Sequence, residues 1–309
     1  MPSENLDNLI AICGVYQNTT NLAEQLAYYG HMGFVIEPRA DLAEGEILAE
    51  SWFNARGVKR ENLKQTVAMR LPHDPYMHIW FQSWDELSTD PVWPPVYNQT
   101  GCRGFTLLVA DISKELGRIS RDFKTVTLVQ DQITVQRKWG PTHSALLRDP
   151  DGNFIELMTI DGSNSRAAQP VPHGEKGFLH FMLNCPSENF AETKRFYCSF
   201  GMEHDCGVDF KKDGRPDGDA YFQQQYIDGF GAWPIWGECS FLRGKRDPSY
   251  MHLELLEARE DLQVPGRSPP TWAQRGIARY CIKVPDFQEE LQKSKQRGSK
   301  IYVETQRGK

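Results

Sequence analysis

The sequence lacks any apolar run long enough to cross a membrane, and its first residues do not form the basic, apolar leader that directs secretion. A membrane protein and a secreted protein are therefore not expected. With 309 residues, the chain is long enough to bury a large core. We expect a soluble, cytoplasmic protein.

Cysteine pairs and an excess of positive charge are also missing. The seven cysteines are odd in number and form no C-x-x-C pair, which argues against a disulfide framework or a zinc knuckle. The formal net charge is -6, and the densest basic cluster, at residues 293–300, lies beside Glu289 and Glu290 on a predicted helix. A nucleic-acid partner is therefore not expected.

Several common catalytic motifs are absent. No G-x-G-x-x-G follows a strand, and neither G-x-x-x-x-G-K-[ST], G-x-S-x-G nor H-E-x-x-H occurs. Nucleotide cofactors and serine-hydrolase chemistry are therefore not expected. The partner that remains is a small-molecule substrate, and a homodimer stays open.

What the sequence does contain is a polar turn that leads into a strand with an acid at its centre. Residues 148–158 read RDPDGNFIELM, where Pro, Gly, Asp and Asn favour a tight turn. In the strand that follows, Phe154, Glu156 and Met158 share one face, while Ile155 and Leu157 share the other. From this strand alone, Glu156 is either a solvent-facing acid or a functional one.

The same arrangement recurs downstream. Asp247, Pro248 and Ser249 lead into YMHLELLEA, where His252 and Glu254 share one face of a strand. A weaker copy at residues 73–81 has Trp80 at the place of the acid. Three turn-and-strand units indicate a repeated module.

The beginnings of the modules repeat as well. The strand GFLHFMLNC at residues 177–185 carries His180 and is followed by Pro, a helical stretch and Gly, and GIARYCIKV at residues 276–284 starts the same order again. Less regular copies begin near residues 9 and 104. We therefore predict four units of strand, helix and further strands, at about residues 6–86, 100–161, 175–258 and 274 to the end.

These motifs resemble the vicinal oxygen chelate superfamily, which contains glyoxalases, bleomycin-resistance proteins and extradiol dioxygenases. The resemblance rests chiefly on RDPDGNFIEL and on the pairing of GFLHFML with YMHLELLE. It implies an α+β fold of four tandem βαβββ modules, the last one incomplete, that form two curved-sheet barrels. We expect one pair of modules in residues 1–165 and a second pair in residues 166–309.

The resemblance also implies a metal site, because the superfamily takes its ligands from the first and last strands of paired modules. His180 occupies a first-strand place, and Glu254 and Glu156 occupy last-strand places. Imidazole nitrogen and carboxylate oxygen suit a divalent ion such as Fe, Mn, Ni, Co or Zn, and three protein ligands leave positions open. The alternative for His180 is a buried histidine bonded to a backbone carbonyl.

Which modules pair decides the ligand set. If the third pairs with the fourth, Arg279 stands at the place that corresponds to His180, and its fixed charge favours an anionic substrate. If the first pairs with the second, only Glu156 is a ligand. Pairing of the second with the third brings Glu156, His180 and Glu254 together. The position of the fourth metal ligand then falls near Phe105 or Thr106.

The resemblance predicts an enzyme, a lyase, isomerase or epimerase that binds a divalent metal and stabilises an enediolate. Its predicted catalytic residues are Glu254, Glu156 and His252. The alternatives are a ring-cleaving extradiol dioxygenase and a non-catalytic binding protein of the bleomycin-resistance type. The residues that we expect to line the substrate pocket are Trp139, Phe154, Tyr221, Trp233, Trp236 and Arg279.

Overall fold

Strands and helices follow one another along the chain in a repeated order. The computed structural model describes residues 11–37, 53–54, 58–137, 140–160, 175–209, 235–245, 247, 249, 251–265 and 274–301. The strands are β1 (Ala11–Thr19), β2 (Val35–Ile36), β3 (Leu63–Arg70), β4 (His78–Trp84), β5 (Ser88–Trp93), β6 (Gly101–Leu108), β7 (Thr127–Arg137), β8 (Gly140–Arg148), β9 (Phe154–Ile160), β10 (Gly177–Cys185), β11 (Met202–Asp209), β12 (Ile235–Gly244), β13 (His252–Ala258) and β14 (Gln274–Lys283). The helices are α1 (Leu22–His31), α2 (Ile112–Asp122), α3 (Phe190–Ser199) and α4 (Phe287–Gln296). In the part of the chain described, no helix has the length and apolarity needed to cross a membrane.

Short polar side chains fix where three of the helices begin. Asn21, Asp111 and Asp286 each accept a hydrogen bond from a backbone N–H in the first turn of α1, α2 and α4, respectively. Such a cap satisfies one of the N–H groups that a helix leaves without an internal partner. Each helix therefore starts at a defined distance after the first strand of its module.

The second and third modules share one eight-stranded sheet. Its strand order is β11-β12-β13-β10-β6-β9-β8-β7. Within each module the first strand is parallel to the last, as β6 is to β9 and β10 is to β13. The two modules meet where their first strands, β6 and β10, pair antiparallel. This β6–β10 seam lies at the centre of the sheet.

The first and fourth modules share a six-stranded sheet. Its strand order is β2-β3-β4-β1-β14-β5, and the first strands β1 and β14 again pair antiparallel. The predicted α+β fold of tandem modules in two large sheets is confirmed. Both sheets end in edge strands, so neither closes into a barrel through its described strands.

Each sheet combines strands from both sides of residue 165, because the second module pairs with the third and the first with the fourth. The first strands of the modules pair between the two halves of the chain, β1 with β14 and β6 with β10, rather than within each half. Neither sheet is confined to residues 1–165 or to residues 166–309. The expected division into two domains, 1–165 and 166–309, stays a prediction.

The hydrophobic core contains one of the two faces that alternation separates on β9 and β13. Ile155 and Leu157 of β9, together with Leu253 and Leu255 of β13, belong to the core. Core side chains from the six-stranded sheet, such as Val15, join the same cluster. The opposite face of the eight-stranded sheet is thereby left to Glu156, Glu254 and their neighbours.

The turn before β9 is buried rather than exposed. Asp149, Asp151 and Asn153 are each at most 3% exposed. Asn153 Nδ2 bonds both carboxylate oxygens of Asp149, and Asp151 Oδ2 accepts a 2.8 Å hydrogen bond from Gln25 Nε2 of α1. The turn that leads into the Glu156 strand therefore also ties the second module to the first.

Candidate functional site

Four strands at the centre of the eight-stranded sheet carry the polar side chains of the candidate site. Thr106 of β6 pairs with His180 of β10 on one side and with Glu156 of β9 on the other. Glu254 of β13 pairs with Met182 of β10. Pairing of the second and third modules thus brings His180, Glu156 and Glu254 to one seam.

The two carboxylates lie at equal distances from the imidazole. His180 Nε2 is 3.5 Å from Glu156 Oε2 and 3.5 Å from Glu254 Oε2. Two ligands in tetrahedral positions at ordinary zinc bond lengths lie about 3.4 Å apart, which is close to this spacing. One imidazole nitrogen and two carboxylate oxygens are also a donor set that suits first-row divalent ions. The types of donor atom therefore suit a divalent ion, although hydrogen bonds to Arg103 and Thr106 already engage these atoms.

Hydroxyl groups already donate hydrogen bonds to both carboxylate oxygens of Glu156. Thr106 Oγ1 donates a 2.6 Å hydrogen bond to Glu156 Oε2 and lies 2.7 Å from His180 Nε2, and Ser144 Oγ donates a 2.8 Å bond to Glu156 Oε1. A hydroxyl has a single proton, so Thr106 accepts from a protonated Nε2 in this arrangement. A bound metal would have to displace that proton. Within the described residues, no group of three or more His, Cys, Asp or Glu side chains is arranged so that it could hold a metal ion.

The surroundings of Glu156 keep its carboxylate ionised. Burial alone would raise the pKa of Glu156, but the hydrogen bond and charge of His180, with the hydroxyls of Thr106 and Ser144, lower that pKa to about 2. The side chain is 11% exposed. Glu156 is therefore a buried, charged acceptor rather than a solvent-facing acid.

Arg103 enters the site through a β-bulge. Met182 pairs with Gly104 and Leu183 pairs with Cys102, so Arg103 is an extra residue in β6. A bulge redirects a side chain that strict alternation would place elsewhere. Arg103 Nη2 donates a 3.0 Å hydrogen bond to Glu254 Oε2, and its guanidinium lies 4.1 Å over the Tyr97 ring. Sequence reasoning missed Arg103, and its one signal was a charged residue just before the apolar strand.

The second oxygen of Glu254 is more weakly held. Glu254 Oε1 has the Cys239 thiol as a donor at 3.5 Å, which is a weak hydrogen bond.

Gly104, next to Arg103, lets β6 approach β9 closely, because a Cβ atom there would lie 2.1 Å from the Phe154 carbonyl oxygen.

His252 lies beside His180 on the neighbouring strand, but its side chain is hydrogen-bonded to Asp205. The two residues pair across β13 and β10. His252 Nε2 lies 3.0 Å from Asp205 Oδ2 on β11, and the Phe241 ring contacts both imidazoles. Burial lowers the pKa of His252, against the opposing effect of Asp205. Asp205 was not found from the sequence.

The residues expected to line the pocket are only partly described. Trp139, Tyr221 and Trp233 lie outside the described residues, and Trp236 belongs to β12 by its backbone while its side chain is outside them. Phe154 is buried between the Arg148 guanidinium, 4.0 Å from its ring centre, and Tyr97. Their contact with substrate stays a prediction.

Arg279 lies in the other sheet, at the place that corresponds to His180. Tyr16 of β1 pairs with Arg279 of β14 and with Trp80 of β4, as Thr106 pairs with His180 and Glu156. The Arg279 guanidinium lies 3.7 Å over the Tyr16 ring, which stacks on Trp80 at 4.9 Å. The β1–β14 seam thus holds a stack of aromatic and cationic groups where the β6–β10 seam holds oxygen and nitrogen donors.

The fold of this chain consists of paired βαβββ modules whose first strands meet at a seam, and solved structures share it. The structure of glyoxalase I from Zea mays matches 88% of this chain and 74% of its own, with 16% identity and a TM-score of 0.53. A proposed dioxygenase from Bacillus subtilis matches 94% of this chain and 75% of its own, with 13% identity and a TM-score of 0.51. No protein-family model and no curated protein sequence matches the chain. The resemblance in fold drawn from the motifs is confirmed, and structural matches at these identities show the fold alone.

Proposed function

We propose that this protein is a glyoxalase-type metalloenzyme, a lyase, isomerase or epimerase that acts on a small substrate with oxygens on adjacent carbons. The observation that supports this best is the approach of Glu156 and Glu254, from two different modules, to within 3.5 Å of His180 Nε2. His180, Glu156 and Glu254 would hold the metal. When bound, a divalent ion supplies Lewis-acid polarisation of the substrate oxygens.

Glu254 is the better general base of the two carboxylates. Both oxygens of Glu156 accept short hydrogen bonds from hydroxyl groups, at 2.6 Å and 2.8 Å. Glu254 Oε1 has only the weak thiol donor among its described hydrogen bonds. An oxygen with a free lone pair can take the proton from the hydroxyl-bearing carbon next to the carbonyl, and the electron pair left on that carbon moves toward the carbonyl oxygen, which gives an enediolate. Return of that proton to the neighbouring carbon or to the other face gives isomerase or epimerase chemistry.

The other residues hold this arrangement in place. Thr106 and Ser144 fix both oxygens of Glu156, so that this carboxylate presents a constant geometry. Asp205 fixes the orientation of His252, which we assign as a second acid/base group rather than a ligand, since its Nε2 is bonded to Asp205.

A deuterium-exchange experiment tests the proposal. The purified protein, loaded in turn with Mn, Co, Ni or Zn, is incubated in heavy water with small 2-hydroxycarbonyl compounds, and exchange of the carbon-bound proton is followed by NMR. We expect metal-dependent exchange that Glu254→Gln abolishes. Ser249→Ala, which alters a turn outside the seam, is the matched control and should retain exchange.

A ring-cleaving dioxygenase is the alternative that this experiment must separate. Iron oxygenases of the facial-triad type use two histidines and one carboxylate. Here one imidazole meets two carboxylates, and the second histidine bonds Asp205. Oxygen uptake with catechols and ferrous iron, without exchange, would favour the dioxygenase. Binding of aromatic compounds with no metal and no turnover would favour a binding protein.

A further inference from the structure

A hydroxyl group from the six-stranded sheet reaches the β-bulge of the eight-stranded sheet. Tyr280 Oη of β14 accepts a 3.0 Å hydrogen bond from the Gly104 N–H. The hydroxyl proton has two acceptors, the carbonyl oxygens of Gly104 at 2.6 Å and of Met182 at 2.7 Å. Gly104 and Met182 form the residue pair that borders the bulge, next to the extra residue Arg103. All described hydrogen bonds of the Tyr280 hydroxyl are therefore made to the backbone at the bulge.

Packing of the core does not require this hydroxyl. The Tyr280 ring stacks on the Phe181 ring, with 4.6 Å between the ring centres and an angle of 14° between the planes. A phenylalanine at position 280 would keep that stacking. Burial raises the pKa of Tyr280 well above its usual value, so the hydroxyl keeps its proton and stays a donor. What the hydroxyl adds is a fixed position for the backbone that borders the bulge.

The bulge in turn sets the direction of the Arg103 side chain. A bulge leaves one residue unpaired and redirects its side chain. The Arg103 side chain is 0% exposed, and its Nη2 donates a 3.0 Å hydrogen bond to Glu254 Oε2. Its Nε and Nη1 are buried with no hydrogen-bond partner among the described residues. Since Glu254 is the only partner described for the guanidinium, the position of the bulge sets the geometry of this ion pair.

A strand of the fourth module thus contacts the candidate site of the second and third modules. We infer that Tyr280 is a positioning residue, which holds the bulge so that Arg103 binds Glu254 Oε2 and leaves Oε1 for the substrate. The inference rests on the proposed function for the role of Glu254 as general base, and it does not depend on a bound metal ion.

NMR of arginine side chains measures the ion pair without any substrate. In full-length protein labelled with 15N in arginine, Arg103→Lys identifies the Arg103 Nη signal by its absence. We expect Tyr280→Phe to shift this signal and to speed exchange of its protons with water about tenfold, because a misaligned hydrogen bond to Glu254 opens more often. An unchanged signal in the folded variant overturns the inference.

Tyr29→Phe is the matched control. It also removes a buried, hydrogen-bonded phenol hydroxyl, but one that lies in α1 and bonds Asp149. We expect it to leave the Arg103 signal unchanged. If Tyr280→Phe is partly unfolded, the signal of its folded fraction is measured, because folded and unfolded molecules that interconvert slowly give separate signals.

A double-mutant cycle shows whether Tyr280 acts through Arg103. The rate measured is exchange of the carbon-bound substrate proton in heavy water. We expect Tyr280→Phe and Arg103→Gln each to slow exchange about ten- to a hundredfold. The double variant should be no more than about twofold slower than Arg103→Gln alone. A residue that merely supports the core would slow exchange by the same factor in both backgrounds, so losses that multiply overturn the inference.

Failure of the inference and failure of the proposed function give different results. If the wild type shows no proton exchange but Tyr280→Phe changes the Arg103 signal, the proposed reaction is wrong, and Tyr280 still aligns Arg103 with Glu254. If exchange occurs and the Arg103 signal is unchanged, the reaction stands and the inference is wrong. If neither effect is observed, both are wrong.

Discussion

The hydroxyl of Tyr29 in α1 lies 3.0 Å from Asp149 Oδ2 and donates its hydrogen bond to a carboxylate 120 positions further along the chain. The bond joins the first helix of the first module to the turn that leads into the Glu156 strand. Both groups are buried, so the bond is shielded from water.

Loss of this hydrogen bond should destabilise the protein. We expect Tyr29→Phe to lower the free energy of unfolding by about 1–3 kcal/mol, because a buried carboxylate loses a donor. Tyr28→Phe is the matched control, since the Tyr28 hydroxyl is buried with no hydrogen-bond partner in the described part of the chain. Tyr28→Phe should be neutral or stabilising. Urea unfolding measures both, and equal losses in the two variants would contradict the prediction.

Asp247 should make stability depend on pH in an unusual direction. Burial, with a smaller effect of Asp74, raises the pKa of Asp247 from 3.8 to about 6 in the folded protein. The folded state therefore binds its proton more tightly than the unfolded state does. The stabilisation is complete below the unfolded pKa and is lost as the pH rises through the folded pKa.

Asp247→Asn removes this pH dependence. Asp247 Oδ1 accepts from the Ser249 N–H and hydroxyl, and Oδ2 has no described partner, so an amide can replace the carboxyl group. We expect a gain of up to roughly 3 kcal/mol in the free energy of unfolding near pH 8 and little difference near pH 4. Urea unfolding at several pH values measures the difference, and parallel curves for the two proteins would refute it.

If the proposed metal site is correct, removal of His180 should act on metal binding beyond its effect on stability. We expect His180→Ala to weaken metal binding at least about tenfold, since the site loses its one imidazole donor, while the protein stays folded with a lower unfolding midpoint because Glu156 loses a buried partner. His204→Ala, an exposed residue on β11, is the control. The measurement is metal content after dialysis against graded chelator. A folded His180→Ala protein with unchanged metal content would return His180 to a structural role.

Gly104 and Gly117 should respond in opposite ways to alanine. A Cβ atom on Gly104 would lie 2.1 Å from the Phe154 carbonyl oxygen and 2.9 Å from Met182 Cε, so β6 and β9 would have to separate. We expect Gly104→Ala to lower the free energy of unfolding by about 3 kcal/mol or more. Gly117, in α2, has nothing within 4 Å, and Gly117→Ala should add about 0.5–1 kcal/mol. Thermal unfolding compares the two, and an unaffected Gly104→Ala protein would show that the strands adjust.

Alternation was enough to predict which residues of β9 and β13 share a face. Ile155 and Leu253 lie in the core, and Glu156 and Glu254 lie on the opposite face, because the side-chain period of a strand is a local property. The order of strand, helix and strands within each module is equally local. The modules were therefore predictable from the sequence.

Contacts between modules could not be predicted in the same way. Whether β6 pairs with β10 depends on hydrogen bonds between distant segments, so three pairings stayed open. Arg103 reaches Glu254 only because a bulge shifts the register of β6, and a bulge has no periodic signal. Asp205 was missed for a similar reason, since its approach to His252 requires β11, β12 and β13 to be assembled.

The two seams of this chain combine the same strand pairing with different side chains. Tyr16, Trp80 and Arg279 occupy the register that Thr106, Glu156 and His180 occupy in the other sheet. The same strand pairing thus forms around aromatic rings as readily as around donors. The pairing of the strands and the chemical character of the seam side chains vary independently in this molecule, and each sheet serves as an internal reference for changes made in the other.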